Sequence, residues 1–183
     1  MGSVNLDNTG SGSAITLSSD GTNLLLDGTA VGGGGSPDLF AENPSSATTP
    51  VASGTNAVSI GSNSTATGAN SFAIGLADGD ATGSNSFAAG GQATNSNAIA
   101  IANGSSAQGM NSVSIGNGSR AQGTRAVALG SEAKATTNAN TIAIGTSLAS
   151  GASSFAAAIT NNTSSYGASS TRGISIGAFS HRS

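Results

Sequence analysis

The sequence contains no cysteine and no tryptophan, and charged residues make up only 7% of its 183 residues. Without cysteine the chain can form neither a disulfide nor a thiolate metal site. A typical domain has about 25% charged residues, and this chain also has only one tyrosine, five phenylalanines and three prolines. A conventional core of large side chains is therefore excluded.

Long apolar runs are absent as well. The start, MGSVNLDNTGSGS, lacks the basic and apolar regions of a signal peptide, and no apolar run reaches the roughly 18 residues of a membrane helix. We therefore expect neither a signal peptide nor membrane insertion.

The few charges are unevenly distributed. Residues 1–80 contain seven acidic residues and no basic residue, a net charge of -7, whereas residues 81–183 contain five basic residues and one acidic residue, a net charge of +4. This polarity is either drift in a sequence of low charge or a sign that the two ends have different partners.

The sequence contains few residues of the types that catalyse reactions. The only histidine, His181, is two residues from the last one, and Asp78 and Asp80 are the only close pair of carboxylates, in an expected turn. General acid–base catalysis needs convergent groups in a shielded site, and nucleic-acid binding needs a basic face with aromatic residues. The tandem aspartate repeat of calcium-binding β-rolls is also missing. We predict no enzymatic activity, cofactor, metal site or nucleic-acid partner.

Three segments are predicted along the chain. Residues 1–35 form an N-terminal β segment for attachment, with apolar runs Ala14–Leu17 and Leu24–Leu26 on either side of an Asp-Gly turn signal. Residues 36–53 contain all three prolines and form a linker, in which Leu39 and Phe40 are a candidate docking point for another protein. Residues 54–183 are repetitive.

The repeat consists of pairs of mostly large apolar residues separated by one small residue. Successive pairs are 14, 15, 12, 14, 14, 15, 13 and 19 residues apart. The pairs are Val58/Ile60, Phe72/Ile74, Phe87/Ala89, Ile99/Ile101, Val113/Ile115, Val127/Leu129, Ile142/Ile144, Phe155/Ala157 and Ile174/Ile176. A second, weaker strand pattern lies between pairs, as in STATG at 64–68 and RAQG at 120–123. Because a glycine follows most of these strands, the pattern predicts an all-β fold, a parallel β-roll (solenoid) of about nine 14-residue coils.

Alternation within each strand separates the large side chains from the small ones. We expect the large ones to fill the core of the roll: Val58, Ile60, Phe72, Ile74, Phe87, Ile99, Ile101, Val113, Ile115, Val127, Leu129, Ile142, Ile144, Phe155, Ile174 and Ile176. The small residues of the opposite face, such as Ala73 and Ala128, would then let another copy approach closely. This predicts a homo-oligomer, with an independent monomeric roll as the alternative.

The segments NAVSIGSNSTATGANSFAIG and NSVSIGNGSRAQGTRAVALGSEAKA resemble the YadA-like head repeat of trimeric autotransporter adhesins. The resemblance covers residues 54–178 and implies a homotrimer of left-handed parallel β-rolls. The signal peptide, coiled-coil stalk and β-barrel anchor of that family have no recognisable counterpart here. The N-terminal stretch ITLSSDGTNLLLDGTAVGGGG instead looks like segments of bacteriophage tail-fibre proteins.

Together these resemblances predict a trimeric virion fibre protein that binds a host surface, either a polysaccharide or a protein. Candidate receptor-binding residues are Tyr166, Arg172, His181 and Arg182 near the C-terminal end. The alternatives are a purely structural virion spacer, collar or capsid decoration, and a bacterial surface adhesin head. An ice-binding roll is disfavoured because its threonine pairs would have to recur, and Thr65/Thr67 is followed by Asp80/Thr82 and Ser106/Gln108.

Overall fold

The computed structural model describes residues 4–7, 14–19, 24–26 and 29–30 through their backbone, and residues 48–75, 79–157 and 167–177 in full. The chain divides into two compact units, residues 1–41 and 42–183. All regular elements in these described ranges are β-strands.

The first unit is an antiparallel meander of four strands in sequence order. The strands are β1 (Val4–Asp7), β2 (Ala14–Ser19), β3 (Leu24–Leu26) and β4 (Thr29–Ala30). Two of them cover the predicted apolar runs at Ala14 and Leu24, whereas β1 was not anticipated. The Asp-Gly turn between β2 and β3 lies outside the described residues.

The second unit is a parallel β-solenoid in which the chain alternates between two sheets. The first sheet has nine strands: β6 (Val58–Ile60), β8 (Phe72–Ile74), β10 (Phe87–Ala89), β12 (Ile99–Ile101), β14 (Val113–Ile115), β16 (Val127–Leu129), β18 (Ile142–Ile144), β20 (Phe155–Ala157) and β21 (Ile174–Ile176). The second has eight: β5 (Val51–Ala52), β7 (Thr65–Ala66), β9 (Asp80–Ala81), β11 (Gln92–Ala93), β13 (Ser106–Ala107), β15 (Arg120–Ala121), β17 (Lys134–Ala135) and β19 (Leu148–Ala149).

The predicted all-β parallel roll is therefore confirmed, and every predicted apolar pair lies in a strand of the nine-stranded sheet. Strands β11 and β17 lie at weak-strand positions that the pattern did not mark. Strand β5 pairs with β7, so the roll begins earlier than residue 54, within the segment assigned to the linker.

Equivalent residues of successive coils stand directly above one another. Between β14 and β16, for example, Val113 pairs with Val127, Ser114 with Ala128 and Ile115 with Leu129. Adjacent parallel strands lie about 4.8 Å apart, so each strand position generates a column of side chains along the roll.

The expected direction of the side chains is wrong. All sixteen large residues predicted to fill the roll are half-buried or exposed in the single chain, whereas the small residues between them are buried in every strand after the first, in which Ser59 is half-buried. The interior is built from alanines with no exposed surface, contributed by both sheets: Ala66, Ala73, Ala81, Ala88, Ala93, Ala100, Ala107, Ala121, Ala128, Ala135, Ala143, Ala149 and Ala156. Ser114 and Ser175 occupy equivalent buried positions.

The small residues in the inward rows of both sheets account for this reversal. At the inward position of the eight-stranded sheet, β7 to β19 all place an alanine. The facing row of the nine-stranded sheet likewise contains only alanine and serine, so small side chains fill the space between the sheets at close-packed density. Isoleucine and phenylalanine must point outward from the other face of the same strands.

The backbone of each turn lies very close to the backbone of the equivalent turn in the next coil. A Cβ atom on Gly109 would overlap the carbonyl oxygen of Gly123 in the next coil, and Gly68 meets Gly83 in the same way. Glycine at these positions is required by close approach of backbone to backbone. The glycines of the repeat thus set the distance between coils as well as the direction of the chain.

An asparagine ladder lines one exposed edge of the roll. Asn56, Asn70, Asn85, Asn97 and Asn111 all have φ between 55° and 58°. Each side-chain amide donates from Nδ2 to the Oδ1 of the next asparagine, over 2.9–3.3 Å. Asparagine tolerates this left-handed conformation better than most residues, and the stacked amides satisfy one another. The ladder therefore stabilises the turn in five consecutive coils.

The enclosed alanines predict a strong dependence of stability on side-chain volume. Ala100→Leu would place a larger side chain between the sheets and should lower the free energy of unfolding by at least about 1–3 kcal/mol. The neighbouring change Ile101→Leu lies on the outward face, conserves volume and should have little effect. Urea unfolding of both variants measures the difference, and equal stability would contradict the observed side-chain directions.

The asparagine ladder predicts that two substitutions at the same position lower the free energy of unfolding by different amounts. Asn85→Gly removes the amide contacts but keeps the left-handed backbone accessible, whereas Asn85→Ala also forces alanine into that conformation. The alanine variant should be less stable than the glycine variant by about 1 kcal/mol. Ser84→Ala, at an exposed neighbour, serves as the control in the same unfolding measurement. Identical losses for the two Asn85 variants would show that the φ angle is unimportant.

Candidate interaction surfaces

The outward side of the nine-stranded sheet is an apolar face formed by the first and third residues of each strand. The first column runs from Val58 to Ile174 and the second from Ile60 to Ile176. With two alanines as the exceptions, all members are valine, isoleucine, leucine or phenylalanine. Such a contiguous apolar strip is typical of an interaction surface rather than of scattered surface residues.

Exposure along the apolar face is highest at its C-terminal end. Ile174 is 57% exposed and Ile176 is 65% exposed, and Ile74, Ile115 and Ile144 also belong to the exposed large hydrophobics. The rings of Phe72 and Phe87 stack within the first column, with centroids 5.5 Å apart and planes inclined by 3°. The stacked rings stabilise neighbouring coils but leave the outward side of the column uncovered.

The opposite outer surface, on the eight-stranded sheet, is polar. One column continues past the strand ends through Thr67, Thr82, Thr94, Gln108, Gln122, Thr136 and Ser150. Within it the Nε2 of Gln122 donates to the Oε1 of Gln108 over 3.1 Å. The two outer surfaces of the roll thus have opposite character, and the apolar face is the one suited to a protein partner.

Two basic residues lie side by side on the polar surface of the eight-stranded sheet. Arg120 and Lys134 are direct neighbours in β15 and β17, where like charges are unfavourable. A third basic residue, Arg125, lies in the column of the asparagine ladder, has φ of 58° and donates from Nε to the Oδ1 of Asn140 over 2.7 Å. These three residues place positive charge on the middle of the roll, away from the candidate receptor-binding residues at its C-terminal end.

Of the four candidate receptor-binding residues, the structure describes Arg172 alone. Arg172 is exposed, has φ of 59°, and donates its backbone N–H to the carbonyl oxygen of Ala152 over 2.8 Å. Tyr166, His181 and Arg182 lie outside the described residues, as do Leu39 and Phe40. The predicted basic cluster and docking point therefore remain predictions.

The acidic pair is only partly described. Asp80 is half-buried at the start of β9, next to Thr65 and Gln92 in the sheet, and Asp78 lies outside the described residues. In the described part of the chain, no group of three or more histidine, cysteine, aspartate or glutamate side chains is arranged to hold a metal ion. The same residues include no helix long and apolar enough to cross a membrane.

Comparison with protein families identifies the repeat. Residues 52–76 and 121–147 match the model of the YadA head domain repeat, in two copies. No curated protein matches the chain. The two matched segments contain β6 to β8 and β16 to β18, so they include the outward apolar columns and the enclosed alanines. The match agrees with the β-roll that the strand pairing shows. The roll of this chain is therefore a parallel β-solenoid in which two segments are similar to the YadA head domain repeat.

Proposed function

We propose that this chain forms the rigid β-roll of a homotrimeric, non-enzymatic fibre or adhesin-type virion protein that binds a host surface. The observation that supports this proposal best is the apolar face of the nine-stranded sheet. Burial of apolar area stabilises an assembly by about 25 cal/mol per Å², and this face offers two columns of such side chains along the roll. Three copies joined through these columns would have polar outer surfaces.

The proposed assembly differs from the one expected from sequence. There, the small residues were to face a neighbouring copy, and the large residues were to fill each roll. Because Ala73, Ala128 and their equivalents are enclosed within the single chain, the contact between copies falls to the large residues instead. The homo-oligomer is still proposed, but the contact between its copies is now assigned to the apolar face of the nine-stranded sheet.

Attachment and recognition are assigned to the two ends. The N-terminal unit, residues 1–41, is proposed to join another virion protein, with Leu39 and Phe40 as docking residues. The C-terminal end, with Tyr166, Arg172, His181 and Arg182, is proposed to contact an acidic or polysaccharide host surface. Repetition in three copies would strengthen individually weak contacts by avidity. A spacer without receptor binding is the main alternative, and a head on a bacterial surface is the third.

An acidic substitution on the apolar face tests the assembly. Ile115→Asp should weaken association at least about a hundredfold, because burying an unpaired carboxylate costs several kcal/mol. Thr94→Asp adds the same charge to the polar surface of the eight-stranded sheet and should leave association unchanged. Sedimentation velocity over a range of concentrations measures both variants, and circular dichroism checks that each retains its strands. A monomeric wild-type chain would refute the proposed trimer, and undiminished association of Ile115→Asp would refute the assigned contact.

A charge reversal at the C-terminal end tests recognition separately. Particles with Arg172→Glu and Arg182→Glu together should adsorb to host cells about tenfold less than wild-type particles, since avidity multiplies each weakened contact. Arg120→Glu with Lys134→Glu produces the same change of charge on the middle of the roll and should leave adsorption unchanged. Normal adsorption of the Arg172 and Arg182 variant would favour the spacer role. Equal losses in both variants would point to a general effect of net charge.

A further inference from the structure

Two Asn-Gly dipeptides occur in the sequence, and they occupy equivalent turns in consecutive coils. Asn103-Gly104 connects β12 to β13, and Asn117-Gly118 connects β14 to β15. Both are followed by serine, both asparagines are exposed, and the two glycines have φ of 67° and 66°. Their local sequence and backbone shape are therefore matched.

The hydrogen bonds of the two turns differ. The N–H of Gly118 donates to the carbonyl oxygen of Asn103 over 3.1 Å, and the Nδ2 of Asn117 donates to the same oxygen over 3.2 Å. Within the part of the chain that the structure describes, neither the N–H of Gly104 nor the side chain of Asn103 forms a hydrogen bond. Gly104 is exposed, whereas Gly118 is half-buried.

The length of the preceding coil explains this difference. Strands β10 and β11 are joined by Gly90 and Gly91 alone, whereas four residues, 102–105, join β12 to β13. The flanking strands remain in register, so the two extra residues project beyond the shorter coil and find no carbonyl opposite Gly104. The next connection also has four residues, 116–119, and Gly118 consequently has the Asn103 carbonyl as its acceptor.

We propose that Asn103 is a site of spontaneous deamidation, because no hydrogen bond within the described residues holds either the attacking backbone nitrogen of Gly104 or the leaving side-chain amide of Asn103. The backbone nitrogen of Gly104 loses its proton and attacks the Cγ of Asn103. A new C–N bond closes a five-membered succinimide ring, and the Cγ–Nδ2 bond breaks as the amide nitrogen takes up a proton and leaves as ammonia. Intramolecular placement of nucleophile and carbonyl favours such a ring closure.

Water then opens the succinimide at either carbonyl carbon. One product has aspartate at position 103, and the other has isoaspartate, in which the main chain runs through Cβ and Cγ. The net reaction consumes one water and releases one ammonia, with no oxidation or reduction. Either product adds a negative charge to this turn, and isoaspartate also lengthens the turn by one backbone atom.

The matched turn at Asn117 is protected at both groups. Donation by the Gly118 N–H opposes loss of that proton, and the bond from Nδ2 to the Asn103 carbonyl fixes the leaving amide. Each such hydrogen bond has a modest net value, but it must be broken before the reaction can proceed. We therefore expect Asn103 to react at least about tenfold faster than Asn117 in the folded protein.

Peptide mapping tests this inference in the intact wild-type chain. The protein is incubated at mildly alkaline pH, sampled over time and digested, and mass spectrometry with chromatographic separation of the aspartate and isoaspartate isomers quantifies each site. The same incubation in urea is the control, because the shared Asn-Gly-Ser sequence predicts equal rates once the fold is lost. Asn103→Gln removes the five-membered ring closure and identifies the modified peptide.

Faster reaction at Asn103 in the folded chain, together with equal rates in urea, is the expected result. Equal rates in the folded chain, or a faster reaction at Asn117, would overturn the assignment. A difference that persists in urea would attribute the rates to the sequence around each dipeptide rather than to the fold. None of these outcomes depends on the oligomeric state or on the host receptor, so the inference stands apart from the proposed function.

Discussion

The small side chains between the two sheets of the roll determine the rest of the structure. The inward rows of both sheets consist of alanine and serine, so only methyl and hydroxymethyl groups lie between facing strands. The large apolar residues of the same strands, such as Phe72 and Ile74, must then lie on the outer surface. The smallest side chains of the chain are consequently enclosed, and its largest apolar side chains point outward. Self-association would use the apolar area that a conventional domain buries in its own core.

Parallel, in-register stacking is the second consequence of this geometry. Since each coil places equivalent residues above one another, a favourable contact in one coil is repeated in the next. The asparagine ladder from Asn56 to Asn111 arises in this way, and so does the phenylalanine stack. The same stacking repeats an unfavourable contact wherever like residues meet, as Arg120 and Lys134 do. A single coil is too small to be stable alone, and its stability depends on its contacts with the neighbouring coils.

The sequence predicted the path of the chain far better than the direction of its side chains. Alternation within SFAIG separated Phe72 and Ile74 from Ala73 correctly, because strand geometry fixes two opposite faces. It could not decide which face is enclosed, since hydrophobicity alone favours burying phenylalanine. The useful signal was in the other sheet, where the inward position is alanine in Thr65–Ala66, Arg120–Ala121 and Leu148–Ala149. The alanine that recurs there from β7 to β19 marks the inward row of that sheet as small. The hydrogen bonds between turns were likewise invisible, because they depend on the lengths of adjacent coils.

Coil length therefore deserves as much weight as sequence motif when the chemistry of a solenoid is interpreted. Asn103 and Asn117 share the tripeptide Asn-Gly-Ser and nearly the same glycine φ, yet only Gly118 has an acceptor for its N–H. The cause lies in a different part of the chain, at Gly90 and Gly91, where the preceding connection is two residues shorter. In a globular domain the environment of a turn depends on many distant segments. In this roll it depends chiefly on the coils directly before and after it, so an insertion or deletion in one coil changes the reactivity and hydrogen bonding of the next.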